Sequence, residues 1–395
     1  MARLLQIFNR YLAFGGEEKT TIRLEEVAGK DFQIRNCLFH SADWKGSQAP
    51  ALWKQAIWTL YNPASISTLR RIQSEYQAEA WVVHNVFPVG SAGIYREALR
   101  RRIPIIYFIH NFRPFSVNAT LWVKGKVNPA ALRGNMWPEI VNASWQHSLL
   151  KSAVMGAALK TAFKLRWFDS IKAWIACSDF MRTKFAEAGI PQESIFTLRH
   201  AYKPMPWVEP APEGDFYFFI GRLDEQKGIG TLLKAWDILE ARLGGKAPRL
   251  VITGSGGLVE LCQRAALEND RVEYVGIIGE ERKASLLAAC RGVVVPAVGW
   301  EALGITPFEA YDNSRPVLAA SIGGLTESVA QGQTGLLHEA GNAAQLADQV
   351  LELEQDAARR REMGRRGREW LVATMDEGAW RSQFRKAVEF AISRR

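Results

Sequence analysis

The chain has 395 residues, 48% of them apolar, with 32 Gly, 16 Pro and 4 Cys, which excludes a disordered, collagenous or disulfide-stapled protein and leaves room for two or three packed domains. Its net charge of +9 is uneven: residues 1–205 carry 27 Lys and Arg against 14 Asp and Glu, and residues 206–395 carry 23 against 27. A basic half of this kind admits nucleic acid, an anionic membrane surface or an anionic substrate as partner.

The N-terminus, M-A-R-L-L-Q-I-F-N-R, holds only a five-residue apolar run, too short for the core of a secretory leader, and no run approaches the ~18 apolar residues of a membrane span. Cys37, Cys177, Cys262 and Cys290 form no C-x-x-C and read as reduced, buried thiols of a cytoplasmic protein. Apolar runs predict strands at 4–8, 81–84, 104–109, 173–176, 216–220, 249–253, 293–296 and 316–319. Helical patterns of ten or more residues separate most of them, for example 231–242. Strands apolar on both faces and alternating with helices predict an α/β protein with doubly wound parallel sheets. The four-proline stretch 203–215, K-P-M-P-W-V-E-P-A-P-E-G-D, reads as a linker and coincides with the change of charge. The expected domains are therefore 1–205 and 206–376, with an amphipathic helix at 377–395, and a ligand is expected outside the carboxyl ends of the strands, in a cleft between two facing domains.

Glycines recur where strands end: Gly15-Gly16, G-R-L-D-E-Q-K-G from Gly221, G-S-G-G from Gly254, and S-I-G-G-L-T-E after 316–319. Glycine lets backbone N–H groups approach an anion, although a lone G-S-G-G is more often a tight strand-to-helix turn than a phosphate site. Arg222 and Lys227 follow a strand directly and suit a diphosphate, or else form a solvated loop with Arg222 paired to Asp224. No D-x-D occurs and no His, Cys or Asp cluster has metal-ligand spacing, so no metal is expected. The stretch E-A-L-G-I-T-P-F-E (301–309) sets two carboxylates eight positions apart. Thr306 as N-cap, Pro307 next and Glu309 third inside would form a capping box, which explains Glu309 but neither Glu301 nor Gly304. His110 ends a predicted strand of the basic domain, and His84 ends another.

These pieces, F-I-G-R-L-D-E-Q-K-G-I (219–229), V-I-T-G-S-G (251–256), V-E-Y-V-G (272–276), P-A-V-G-W-E-A-L-G-I-T-P-F-E-A-Y (296–311), P-V-L-A-A-S-I-G-G-L-T-E (316–327) and Q-T-G-L-L (333–337), resemble in order the donor domain of retaining GT-B-fold glycosyltransferases of family four. The first half is similar more thinly, through Gly15-Gly16, V-H-N-V-F-P (83–88), I-H-N-F-R-P-F (109–115) and A-C-S-D-F-M (176–181). The resemblance implies two Rossmann-like domains and transfer of a hexose-type sugar from a UDP- or GDP-linked donor, with no cofactor. It implies that Glu309 holds the ribose, Glu301 lies near the donor sugar, and Arg222 and Lys227 hold the diphosphate. Backbone of Leu303, Gly304, Ile305 and Thr306 would face the phosphates with Gly254, Gly15 and Gly16, backbone of Val275 and Gly276 would meet the base, and His110 would face the sugar. Relatives often carry cysteines after an H-N-x-R segment, whereas 111–126 has none, so the acceptor is left to a glycan, glycolipid or lipid-linked hydroxyl. At 199–202, R-H-A-Y stands in place of an asparagine-containing turn and receives no role.

A long basic helix is expected at 142–168, with Trp145 and Trp167; 44–61 adds Trp44, Trp53, Trp58, Lys45 and Lys54. Lys with Trp suits peripheral contact with the inner face of the cytoplasmic membrane, and no nucleic-acid motif accompanies the charge. An epimerase or hydrolase of the same fold would need further acids or histidines, and a non-catalytic sugar-nucleotide scaffold would not need Glu301, Glu309, Arg222, Lys227 and His110 together.

Overall fold

The computed structural model describes residues 1–12 and 16–395. The chain forms two compact units, one made of Met1–Ala201 with Glu377–Arg395 and the other of Tyr202–Asp376. In the first unit, strands β1 (Arg3–Arg10), β2 (Gln33–His40), β3 (Ala80–Val83), β4 (Ile105–Ile109), a small hairpin of β5 (Trp122–Val123) and β6 (Lys126–Val127), β7 (Ile171–Ala176) and β8 (Ile195–Thr197) follow in chain order. Six of them form a parallel sheet in the order β2-β1-β3-β4-β7-β8. Apolar side chains on both faces of β3 and β4 are buried, as a sheet covered by helices on both sides requires.

The second unit contributes β9 (Phe216–Ile220), β10 (Arg249–Thr253), β11 (Val272–Tyr274), β12 (Gly292–Val295), β13 (Val317–Ala320) and β14 (Gly335–His338), again all parallel, in the order β11-β10-β9-β12-β13-β14. Strand order reverses between β9 and β12 in this sheet and between β1 and β3 in the other. The loops leaving the carboxyl ends of those strands diverge, and an open α/β sheet offers a ligand its crevice there.

Two packing features position these loops. In the helix Glu377–Ser393, Trp380, Phe384, Val388 and Ala391 recur at three- and four-residue spacing, so one stripe is apolar and joins the first unit's core with Ile106 and Ile175. Trp380 Nε1 donates to the Arg199 carbonyl at 2.9 Å, and Arg381 pairs with Asp31. In the second unit Asp312, 1% exposed in its side chain, accepts from Arg368, from the Met205 N–H at 3.0 Å and from the Tyr202 hydroxyl at 3.0 Å. That buried network draws Tyr202–Met205 onto the second unit, so the compact boundary falls before Tyr202 rather than after residue 205.

The helix expected at 142–168 is shorter. A helix spans Leu149–Lys164, with Ser148 as N-cap accepting from the Lys151 N–H at 3.3 Å, and another occupies Trp137–Val141. Between them Ala143, Gln146 and His147 have φ near +50°, a left-handed conformation that no α-helix tolerates in series. No helix among the described residues is long and apolar enough to cross a membrane.

Candidate functional site

In the second unit the loop after β9 turns on Asp224. Its Oδ1 accepts the Lys227 N–H at 3.1 Å, capping the 3₁₀ turn Glu225–Lys227, and its Oδ2 lies 3.2 Å from the Arg222 guanidinium. The Arg222–Asp224 pairing weighed from sequence is thus present, yet the Arg222 side chain stays 66% exposed. Val298 and Gly299 donate their N–H groups to the Gln226 carbonyl at 2.9 and 3.0 Å, tying the loop after β12 to the loop after β9. This seam brings Glu301 to Lys227, and the two form a partly buried ion pair across 74 residues of chain.

The glycines of these loops mainly serve loop packing. A Cβ on Gly254, at φ +144°, would sit 1.8 Å from the Gly221 carbonyl oxygen, and one on Gly228, at φ +75°, would sit 1.8 Å from the Pro296 carbonyl oxygen. Only a residue without a side chain lets these backbones meet. Gly276 accepts from the Gly254 N–H at 3.0 Å and from the Thr253 hydroxyl at 2.6 Å, while the Val275 N–H is committed to the Ile252 carbonyl at 3.0 Å.

The capping box does not form. The helix Thr306–Asp312 begins one residue earlier than expected: Ile305 is its N-cap, with no side-chain cap bond, and Pro307 lies in the first turn. Glu309 sits fourth in the helix and donates its N–H to the Ile305 carbonyl at 3.1 Å. Its carboxylate meets a cation of another element. It lies 3.1 Å from the Lys283 ammonium, which also pairs with Glu280 at 2.6 Å. Lys283 was not singled out from the sequence, because its partner is 26 residues away on another element. The Leu303 side chain is fully buried and its carbonyl accepts from the Ser328 hydroxyl at 3.3 Å, and Gly304 has φ +82°.

In the first unit the ends of β1, β3 and β4 gather a second polar cluster. His84 is fully buried and its Nδ1 lies 2.7 Å from His110 Nε2. The His84–His110 rings stack at 5.0 Å and His110 stacks on His200 at 5.9 Å. Burial pushes all three imidazoles down, His84 to about 3 and His200 to about 4, with neighbouring histidines adding to the effect at His84 and His110, so the trio is neutral near pH 7. His84 Nε2 is buried with no partner. A buried lone pair left unpaired costs less than a buried N–H left unpaired, so His84 carries its proton on Nδ1 and donates to His110 Nε2. His110 then carries its own proton on Nδ1. His84, read from sequence as a core or cleft-wall residue, fixes this tautomer, and His200, given no role, completes the stack.

Beside them, Glu17 accepts the Asn85 N–H at 3.1 Å, and burial pushes its carboxyl up to about 7 despite bonds from Asn85 and Tyr11 and the nearby Arg113. Arg113, 8% exposed, lies 5.5 Å from the Trp145 ring and donates to the Val117 carbonyl. Glu17 and Arg113 were missed, although both sit inside quoted segments: Glu17 follows Gly16, and Arg113 is the arginine of H-N-F-R. Gly16 opens the helix Gly16–Ala28, and Gly15 lies outside the described residues. All four cysteines are free and buried. No group of three or more His, Cys, Asp or Glu that could hold a metal occurs among the described residues.

Residues 206–370 match the family model described as Glycosyl transferases group 1. The GDP-mannose-dependent alpha-(1-6)-phosphatidylinositol monomannoside mannosyltransferase of Mycobacterium tuberculosis is 31% identical over 217 residues, 50% of this chain and 56% of that protein. The chain spans between 36% and 56% of the length of the first curated relatives it matches. Among solved structures, sucrose-phosphate synthase from Thermosynechococcus elongatus superposes with a TM-score of 0.70 at 18% identity, covering 100% of both chains. Anabaena Alr3699/HepE in complex with UDP and glucose gives 0.67 at 16%, covering 98% of this chain and 100% of that one. At such identities the likeness speaks for the fold. The chain thus has two Rossmann-like sheets of the GT-B fold, and nearly all of its second unit matches the glycosyl transferases group 1 model.

Proposed function

We propose that the protein is a retaining, family-four glycosyltransferase of the cytoplasm. It moves a hexose-type sugar from a UDP- or GDP-linked donor to a hydroxyl of a glycan, glycolipid or lipid-linked acceptor, without a metal or other cofactor. The observation that carries this reading is the Lys227–Glu301 pair, which lies beyond the β9/β12 switch point of a sheet whose sequence matches a glycosyltransferase model. Arg222 and Lys227, on one loop, take the diphosphate. Glu309, held beside Lys283, takes the ribose hydroxyls. Backbone of Val275 and Gly276 meets the base, and backbone of Gly16, Leu303, Gly304, Ile305 and Thr306 meets the phosphates, while Gly254, whose N–H bonds the Gly276 carbonyl, holds the loops together beneath them. Glu301 lies toward the sugar.

In a front-face reaction the bond from the sugar's anomeric carbon to the phosphate oxygen breaks, and the acceptor oxygen bonds to that carbon on the same face. The acceptor's proton goes to the departing diphosphate. Negative charge grows on that diphosphate, and pre-placed cations stabilise it by a few kcal/mol each, roughly 2.7–4 for one well-aimed donor. His110 acts as a neutral imidazole, so it offers the sugar a hydrogen bond and not a charge.

The M. tuberculosis relative is described as GDP-mannose-dependent and the Anabaena structure holds UDP, so the test includes both bases. Thermal melts of the full chain in EDTA, with UDP, GDP, ADP, dTDP and their sugar conjugates, are compared with those of the Arg222→Ala/Glu309→Ala variant. A ligand at a hundredfold excess over its Kd adds about 2.7 kcal/mol to stability. One base is expected to raise the Tm by several degrees in the parent and not in the variant; no rise with any nucleotide refutes the reading.

A further inference from the structure

The five tryptophans grouped by sequence as membrane-facing separate in the structure. Trp44 and Trp167 are buried, Trp58 and Trp145 are partly covered, and Trp53 alone is exposed, at 64%. Trp53 lies on the helix Leu52–Leu60 with Leu52 and Ile57, which are 71% and 60% exposed. That helix packs against Leu149–Lys164, whose first turn presents Leu149 and Leu150 at 57% and 68% exposure. Two contacting helices of one unit thus turn five large apolar side chains to solvent, more than scattered surface hydrophobics need.

The charge of the surrounding segments is mainly positive. Segments 43–60 and 121–169 hold nine Lys and Arg and three acids, Asp43, Asp169, which pairs with Arg166 at 2.6 Å, and Glu139. Glu139 is itself buried, accepting from the Ser116 hydroxyl at 2.7 Å and the Val117 N–H at 2.5 Å, so it offers no negative charge outward. The Lys54 ammonium stands 5.5 Å from the Trp53 ring. Apolar side chains beside an excess of cations match the two layers of an anionic bilayer surface, with acyl chains taking Leu, Ile and the indole and headgroups taking the ammonium groups.

We propose that the face formed by the helices Leu52–Leu60 and Leu149–Lys164 docks on an anionic lipid bilayer, with Trp53, Leu52, Ile57, Leu149 and Leu150 entering the interface and Lys54 meeting its headgroups. The protein lies on the membrane without spanning it. This surface stands independently of the transferase reading, because vesicle binding needs no donor. It would bring a lipid-linked acceptor to the first unit.

The test is co-sedimentation of the full chain with vesicles of phosphatidylcholine alone and with about 30% phosphatidylglycerol, at low and high salt. Two variants accompany it: Trp53→Glu/Leu150→Glu removes the apolar contact, and Lys54→Glu/Lys151→Glu reverses the charge. Thermal melts report that each folds, which exposed positions favour. The wild type is expected to bind the anionic vesicles, to release as salt shortens the reach of its charges, and to lose at least about tenfold in partitioning in either variant. Equal binding to neutral vesicles, no binding, or unchanged partitioning in folded variants overturns the proposal. So does analytical ultracentrifugation in which Trp53→Glu/Leu150→Glu turns a dimer into a monomer while vesicle binding stays absent, which would assign the face to a second copy of this chain.

Discussion

Replacing Arg222 with alanine separates the proposed function from stability, because the side chain is structurally almost idle. It is 66% exposed and pairs with Asp224 at 3.2 Å, two residues away. Exposed pairs of that kind contribute about 0–1 kcal/mol, and in a unit of this size 1 kcal/mol moves the Tm by roughly 2–4 °C. Asp224 keeps its second task, capping Lys227, so the turn survives. If Arg222 meets the charge developing on a departing diphosphate, its loss costs about 2.7–4 kcal/mol in the transition state, or 10²- to 10³-fold in kcat. The assay pairs initial rates with a radiolabelled donor, chosen from the thermal-shift panel, with melts of the same preparations. Arg222→Lys is expected to recover part of the rate, keeping the charge but not the planar fork. A rate within about threefold of the parent, or a Tm that falls in step with the rate, refutes the argument.

Gly254→Ala places a methyl group 1.8 Å from the Gly221 carbonyl, so a marked fall in Tm or in soluble yield is expected; Gly257→Ala, with nothing within 4 Å, serves as its neutral control in the same melts. Asp312→Ala strands a buried Arg368 and is expected to cost about 3–5 kcal/mol in urea denaturation of the full chain, with a midpoint shift below a third of that showing the pair to be dispensable. The histidine trio bears on acid stability. Folded pKa values below the unfolded ~6.5 mean that the unfolded chain binds protons first, so stability is complete above about 6.5 and falls as the pH drops toward 4. Replacing His84 with Gln should flatten that slope in melts from pH 4.5 to 7.5, and an unchanged slope would mean that the imidazole titrates normally.

Continuous apolar runs made the inner strands legible: 216–220 and 249–253 match β9 and β10 residue for residue. Strand β2, Q-I-R-N-C-L-F-H, escaped because it lies at a sheet edge and half of its side chains face solvent, which breaks the apolar run. The three-residue β8 is too short for a pattern, and with it went the context that sets His200 beside His110. The E-x7-E spacing marked Glu301 and Glu309 as a pair of interest, but a sequence does not say which residue leaves the helical conformation first. Choosing Thr306 over Ile305 as N-cap placed Glu309 third in a capping box, whereas it is fourth in the helix. Partners such as Lys283 and Lys227 are set by how strand ends stack, and residue spacing does not encode that. The tryptophans make the same point on the surface: composition grouped five, and burial left one facing water.

The interlocked glycines also set the terms on which such a protein can change. With Gly254 pressed on Gly221 and Gly228 on Pro296, the loops above the second sheet form one layer of touching backbones, and none can lengthen or accept a side chain at its contact point without displacing its neighbour. If the proposed function holds, innovation in donor choice is then confined to the side chains that top the layer, Arg222, Lys227, Lys283, Glu301 and Glu309 among them, or must come by exchanging several loops together. Directed evolution that randomises one loop at a time should return mostly dead or parental proteins, whereas recombination of whole second units between homologues keeps the layer intact and moves the specificity with it.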